Sequence, residues 1–349
     1  MGTAEDLTLG TLSVNYCPEH ASHAPNASSG PPVGDIEDLW LQDTIHLNDI
    51  KTIAKIVKIL HEASLDDPSL RMSCEALEWL QMPLCKQPLR SIDSDTWLAI
   101  DIYLRNPFEA TFEVNWKVFL CWLPDANIPS YYKTKHLVAD LTGVRSVVHH
   151  MCINTCVAYT GPFLDLEACP ICSEPWYDQF CFDSSDGRDR IPRQEFHTIL
   201  IGLQLQVLYR EPKSAMHAHY MRMEQLHIIA DIDHKGFLDK YSDVIHDSSL
   251  IEAFQDGCIR EDDIALLFSI NGAQLYAKKA SACWIYISVL LNLSPARCYK
   301  KRHIFIGGFI PGPNNPKNMD SFLFPGLQHL ASLQKERLNI WDATLQHKI

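Results

Sequence analysis

Apolar side chains return at helical intervals in the first third of the chain. Ile50, Ile53, Ala54, Val57 and Leu60 fall on one face of a helix that Asn48 can cap, and Pro68 closes the segment that follows. Phe112, Trp116, Phe119 and Leu123 form a second stripe, ended by Pro124. Ser130 can cap a third helix through Leu141, stopped by Gly143. The link from Pro124 to Pro129 is longer than the turn of a DNA-reading helix-turn-helix, so residues 36–148 read as a plain helical bundle.

The period changes near residue 264. Ile264 to Ile270, Trp284 to Leu291 and His303 to Ile310 are short apolar runs; Asn271-Gly272 follows the first, and Pro311-Gly-Pro313 ends the last. They predict three strands with short links. Asp320 to Leu338 then predicts a helix, which Pro325-Gly326 can break. Residues 186–263 read as a largely helical connector with a loop rich in Asp and Gly. Residues 1–35 are crowded with Pro, Gly and Ser, the composition of a disordered acidic tail.

Composition narrows the class. The chain has 349 residues, 46% apolar and 21% charged, which suits two or three globular domains and excludes a collagen-like or small disulfide-scaffold protein. The longest apolar run, Cys283 to Leu293, is interrupted by Ser288 and Asn292, too short for a bilayer span, so no membrane partner is expected. The first residues lack a basic, then apolar, leader, and a nuclear or cytoplasmic rather than secreted protein is expected. The net charge is −13, but acids exceed bases by eight in residues 1–50 and by seven in residues 231–263, which leaves the remainder at +2. Any DNA contact must therefore come from local patches.

Twelve cysteines in a reducing compartment point to metal before disulfides. Cys152-x3-Cys156-x12-Cys169-x2-Cys172 offers two close pairs of soft ligands, with Gly161-Pro162 between them for a hairpin. Four thiolates suit a tetrahedral, structural zinc ion with no open position. The first pair is spaced more loosely than the commonest knuckle, and His149, His150 or Cys181 could stand in as a ligand. Asp231-x-Asp233-x-Lys235-Gly236 opens like a calcium loop but places Lys235 and Ser242 where oxygen ligands are needed, so it reads as a solvated acidic turn. Two basic clusters are candidates for phosphate contact: Lys133, Lys135 and Arg145, and, near Arg297, Lys300, Lys301 and Arg302. No glycine-rich phosphate loop or nucleophile elbow is present, and no small-molecule substrate is expected.

Several stretches together resemble the CACTA (En/Spm-like) family of cut-and-paste DNA transposases in its fungal form. They are Pro129-Ser-Tyr-Tyr-Lys-Thr-Lys135, Met151-Cys-Ile-Asn-Thr-Cys-Val-Ala-Tyr-Thr-Gly-Pro162 and Cys169-Pro-Ile-Cys172, with Ser269-Ile-Asn-Gly-Ala-Gln-Leu-Tyr276 and Gly307-Gly-Phe-Ile-Pro-Gly-Pro-Asn-Asn-Pro-Lys317. The resemblance covers roughly residues 90–345. It implies an α+β protein: an N-terminal helical region, a small zinc-binding module and an RNase H-like domain that opens with three antiparallel strands and a helix. It also implies a carboxylate triad holding Mg²⁺ or a similar ion for phosphodiester cleavage and strand transfer.

The chain departs from that pattern. Asn271 stands where the first Asp is expected, before Gly272, and its neutral amide removes a unit of negative charge from a hard-cation site. The second Asp and the Glu are expected beyond residue 349, and Asp342 comes too early to be the second Asp. The organisation expected is therefore a tail at 1–35, helices at 36–148, a zinc module at 149–185, a connector at 186–263 and a truncated RNase H-like domain at 264–349. Three strands alone would leave an unpaired edge and a bare apolar face, and so a marginal final segment. The function expected is a degenerate transposase without catalytic residues that binds DNA or full-length transposase copies. The alternatives are an active transposase whose sequence is cut short, a zinc-stapled protein-interaction scaffold, or a relic with no selected function.

Overall fold

A computed structural model of the chain describes residues 48–83, 92–105, 108–274 and 282–349; the tail predicted for residues 1–35 lies outside them. The chain is α+β. Its N-terminal part is helical: α1 Asn48–His61, α2 Cys74–Gln81, α3 Ser94–Arg105, α4 Glu109–Trp122 and α5 Tyr131–Thr142. Ser73 caps α2 by accepting the Ala76 N–H at 3.1 Å. The helices α3, α4 and α5 close over Ala99, Ile102, Phe112 and Ile128, and the Trp116 indole donates to the Ile128 carbonyl at 2.9 Å. The predicted stop at Gly143 is present: its φ is +76°, and an added Cβ would lie 1.9 Å from the Trp79 ring. Glycine is thus required there by both backbone conformation and space.

The remaining elements are β1 Ser146–His150, α6 Gln179–Ser184, β2 Glu195–Ile199, α7 Ile201–Arg210, α8 Pro212–Ala218, α9 Tyr220–Lys235 and α10 Ser248–Gln255. They are followed by β3 Leu266–Gln274, β4 Ala282–Leu290, α11 Pro295–Cys298, β5 Ile304–Pro311, α12 Met319–Glu336, β6 Trp341–Asp342 and β7 His347–Lys348. One sheet has the order β1-β2-β5-β4-β3, antiparallel throughout, and β6 and β7 form a separate small hairpin. The three predicted strands are β3, β4 and β5, but they do not stand alone. His197 and Thr198 of β2 pair with Phe309 and Gly308 of β5. Farther along β5, the Gln204 amide of α7 takes both the N–H and the carbonyl of Ile306, at 3.3 and 3.0 Å. Among the described residues, only the β3 side of the predicted trio remains a sheet edge.

Other details differ from the sequence expectation. Gly272 lies inside β3, opposite Trp284, rather than after the strand. The Asp231–Gly236 segment is no loop: it is the last turn of α9, closed by Gly236, with the Lys235 ammonium 3.3 Å from Asp231 and 2.6 Å from Asp239. Helical i,i+4 pairing of Asp231 with Lys235 stabilises that turn. Pro325-Gly326 does not break α12 either. Proline cannot donate to the carbonyl four residues back, that of Ser321. The Thr160 hydroxyl donates to that carbonyl instead, so no buried acceptor is left bare.

Two apolar clusters fix the sheet. Leu203, Leu205, Val289, Leu290, Phe305 and Leu333 fill one end between β4, β5, α7 and α12. Met151, Ala158, Phe196, Ile310 and Phe322 join the cysteine region to β2, β5 and α12. Between them the Tyr286 ring lies against Gly307 and Gly308, where an added Cβ would come within 2.3 and 2.6 Å of it. The Tyr286 hydroxyl reaches Thr198 Oγ1 at 3.1 Å. The glycine pair inside β5 therefore makes room for an aromatic ring.

Candidate metal centre

The segment between β1 and β2 folds into two tight turns, each carrying two cysteines. In the first, Thr155 adopts φ +57° and donates to the Cys152 carbonyl at 2.8 Å, and the Cys152 N–H bonds back to Val157 at 2.9 Å. In the second, Ser173 adopts φ +60° and donates to Cys169 at 2.8 Å, while the Cys169 N–H donates to Glu174 at 2.8 Å. Both turns curl so that the sulfurs face inward. The Sγ atoms of Cys152, Cys156, Cys169 and Cys172 all lie within 4.8 Å of one another, and Cys152 and Cys172 are 3.4 Å apart. A tetrahedral zinc–thiolate centre has sulfur–sulfur edges of about 3.8 Å, given bonds of about 2.3 Å. The observed cluster needs only small side-chain adjustments to reach that geometry, so the four cysteines could hold a metal such as zinc.

The surroundings suit a bound cation. Cys152, Cys156 and Cys169 are buried and Cys172 is half-buried. The Asn154 backbone N–H points at Cys152 Sγ at 3.4 Å, and its side-chain amide at Cys172 Sγ at 3.6 Å. Such N–H donors offset thiolate charge in a second layer. Burial, reinforced by the neighbouring thiols, pushes Cys156 up to about 12. Burial likewise pushes Cys169 up to about 11. Burial also acts against ionisation of Cys172, but the Glu174 N–H, the Asn154 amide and the other sulfurs outweigh it and bring the thiol down to about 7. Metal binding must therefore displace protons from this cluster.

The alternative ligands of the sequence reading lie elsewhere. Among the described residues, the group with ligand atoms close enough to share a metal contains the four cysteines and not His149, His150 or Cys181. His149 points inward from β1, with its ring 5.2 Å from that of Phe196. His150 meets the Trp176 ring at 5.6 Å. Cys181 sits on α6, where burial and the nearby Asp178 push its thiol up.

The knuckles are docked on the far end of the chain. The Asn318 N–H donates to the Cys156 carbonyl at 2.9 Å, and the Ala158 N–H to Ser321 Oγ at 2.9 Å. The Asn314 amide reaches the Asn154 carbonyl at 3.2 Å, and its neighbour Asn315 accepts the Trp284 indole N–H at 3.3 Å. Asn154, Asn314 and Asn315 lie within stretches that carry the family resemblance, but no sequence signal gave them a role at the cysteines. Their part follows from loops 160 residues apart meeting in space.

The other candidate residues lie outside the cysteine cluster. Lys133 and Lys135 are exposed on α5, whereas Arg145 is ion-paired with Asp140 and lies 4.0 Å from Glu75. Lys300, Lys301 and Arg302 are exposed just before β5. Asn271 is exposed on the edge strand β3, across from Ile285. Asp342 is fully buried in the β6–β7 hairpin: it accepts from Thr344 and Leu345 at 2.7 and 2.9 Å and lies 2.9 Å from His219 Nε2, a structural post rather than an open ligand. Among the described residues no helix is long and apolar enough to cross a membrane. Comparison with protein-family models, with curated proteins and with solved structures finds no match to this chain.

Proposed function

We propose that the chain is a CACTA-type transposase derivative in which a structural zinc ion organises a DNA-binding fold and in which strand cleavage is lost. The observation that carries this reading is the docking of the cysteine knuckles on the β5–α12 segment. Three of the stretches that carry the family resemblance meet in space: 151–162 and 169–172 share the cysteine cluster, and 307–317, about 150 residues further on, packs against the first of them through Ile310 and Asn314. The succession β3, β4, β5 and α12 further supports an RNase H-like domain, since the family opens it with three antiparallel strands and a helix.

Zinc would be held by Cys152, Cys156, Cys169 and Cys172, leaving no protein-free position on the metal. Its role is to fix the turns on which the sheet is built. Asn271 replaces the acid that the family's Mg²⁺ site needs, and a neutral amide is a poor partner for a hard divalent ion. The test is a nicking assay on supercoiled plasmid with Mg²⁺ or Mn²⁺, run beside a duplex-binding titration with and without a zinc chelator. The expected result is no cleavage, and binding that chelation abolishes. Cleavage that disappears in Asn271→Ala overturns the first half of the reading; binding indifferent to chelation overturns the second.

A second reading, a zinc-stapled scaffold for another protein, is favoured by one surface. Val114, Val118 and Trp122 stand 61%, 51% and 82% exposed along one face of α4. Pull-down with and without nuclease separates the two readings, because a protein partner is retained after nucleic acid is removed.

A further inference from the structure

The structure gathers a cationic cluster that the sequence shows only in fragments. Helix α8 brings Lys213 and His217; α11 and the turn after it bring Arg297, Lys300, Arg302 and His303. Ala215 and Ala218 of α8 share one buried apolar cluster with Leu293 and with Cys298 of α11, and this packing brings the cations near enough to repel one another: His217 feels Arg297, Lys213 and Arg302, and His303 feels Arg302, Arg297, His217 and Lys300. The acid acting on His217 is Glu211, whose carboxylate is already engaged as the cap of α8, accepting the N–H groups of Lys213 and Ser214 at 3.1 and 2.6 Å. Among the described residues the ion pairs of lysine and arginine involve Arg105, Lys117, Arg145, Arg193, Arg222 and Lys235, and none reaches this cluster.

Asp243 acts on Cys298 and Tyr299 of the same segment, but its carboxylate already accepts the Tyr220 hydroxyl at 2.8 Å and the Val244 N–H at 2.7 Å. Cations gathered without ion-pair partners cost electrostatic energy unless an anion offsets them. The His217 Nε2 atom is buried and without a hydrogen-bond partner, and His303 is 6% exposed and accepts the Arg302 Nε–H at 3.0 Å. We propose that α8, α11 and the Lys300–His303 turn form one surface for the phosphodiester backbone of duplex DNA. Lys213, Arg297, Lys300 and Arg302 take phosphate oxygens there, and His217, its Nε2 buried beside them, supplies a proton linkage. This rests on the DNA-binding reading above and assigns its surface.

The proton linkage follows from the same neighbours. Burial, then Arg297, Lys213 and Arg302, holds His217 below the ordinary imidazole range. A phosphate placed among those cations reverses the local field, so the ring takes up a proton as DNA binds. Affinity then rises as pH falls from about 8 to about 6.

The experiment is fluorescence anisotropy of a labelled duplex of about 20 base pairs, titrated with the zinc-loaded full chain between about 25 and 200 mM salt. Arg297→Ala/Arg302→Ala is expected to weaken binding roughly tenfold and to reduce the salt slope by about 2. Lys213→Ala/Lys300→Ala changes exposed side chains only and is expected to act in the same direction. Lys51→Ala/Lys55→Ala, which changes exposed side chains of α1, is expected to leave affinity and slope unchanged, and His217→Gln to flatten the pH dependence. Wild-type binding with both patch variants unaltered overturns the surface while the proposed function stands. A pH dependence that survives His217→Gln overturns the proton linkage. A wild-type chain that does not bind duplex at the lowest salt overturns the DNA-binding reading, and the surface with it.

Discussion

His149 and His329 are held as neutral rings inside the fold. Burial first, then the charges of Arg71 and the neighbouring histidines, pushes His149 down to about 3 from an ordinary value of 6.5. Burial alone does the same to His329, whose Nε2 accepts the Gly202 N–H at 3.2 Å. Both values are depressed on folding, so the unfolded chain takes up protons first as the solution is acidified. Their contribution is complete above about pH 6.5 and is lost as pH falls towards 3, by up to about 2.7 kcal/mol per pH unit for the two together. Urea unfolding at pH 7.5 and at pH 5 checks this: the midpoint should fall at the lower pH, and His329→Gln should remove part of the difference. The sequence marked His149 and His150 as possible ligands because imidazole is versatile. It carried no sign of which face of a five-residue strand would point inward, and that decides the matter. The cysteines were legible because two short spacings leave their sulfurs few other places to go.

Among the elements, legibility followed the length of the apolar run. Nine-residue strands such as β3 and β4 carry enough apolar positions to be read, whereas β1 and β2, Ser-Val-Val-His-His and Glu-Phe-His-Thr-Ile, do not. They are strands because neighbours complete them: β1 and β2 pair along five residues, and β2 lies against β5. The continuity of α12 through Pro325 was hidden for a related reason, since the hydroxyl that answers the Ser321 carbonyl comes from Thr160, in another part of the chain. Thr160→Val leaves that carbonyl buried and bare, and thermal unfolding should show a loss of roughly 1–3 kcal/mol. Thr160→Ser should retain most of the stability. At the end of α5, Gly143→Ala forces a left-handed backbone on a residue with a side chain and drives its Cβ into Trp79. A loss of about 1–3 kcal/mol is expected, read from the same melt.

For the whole molecule, the four-cysteine cluster, which could hold a metal, ties distant parts of the chain together. Removing the metal should lower the melting temperature of the sheet and not of the knuckles alone, because Cys156, Asn154 and Ala158 bond to residues 314–321. Zinc content measured after dialysis should be one ion per chain, falling to none in Cys156→Ser/Cys169→Ser. Metal affinity should rise with pH, since Cys156 and Cys169 keep their protons to about 12 and about 11 until a cation displaces them. A competition titration with a chromophoric chelator at pH 6.5 and 8 reads that trend. The sequence showed the basic run from Arg297 to Arg302 but not that α8 packs beside it with Lys213 and His217, because charge read along a chain says little about charge gathered in space.

The order β1-β2-β5-β4-β3 also sets a timetable for synthesis. The middle strand of the sheet, β5, is the last of the five to leave the ribosome, and until it arrives β2 and β4 each wait with one side open. Residues 151–194 close β1 onto β2 over a span too long for a tight turn, and a metal taken up at Cys152–Cys172 would do the work of that turn as soon as the segment emerges. Zinc supply during translation, more than zinc supply afterwards, would then decide whether the nascent chain reaches its sheet or pairs its open edges with those of other chains.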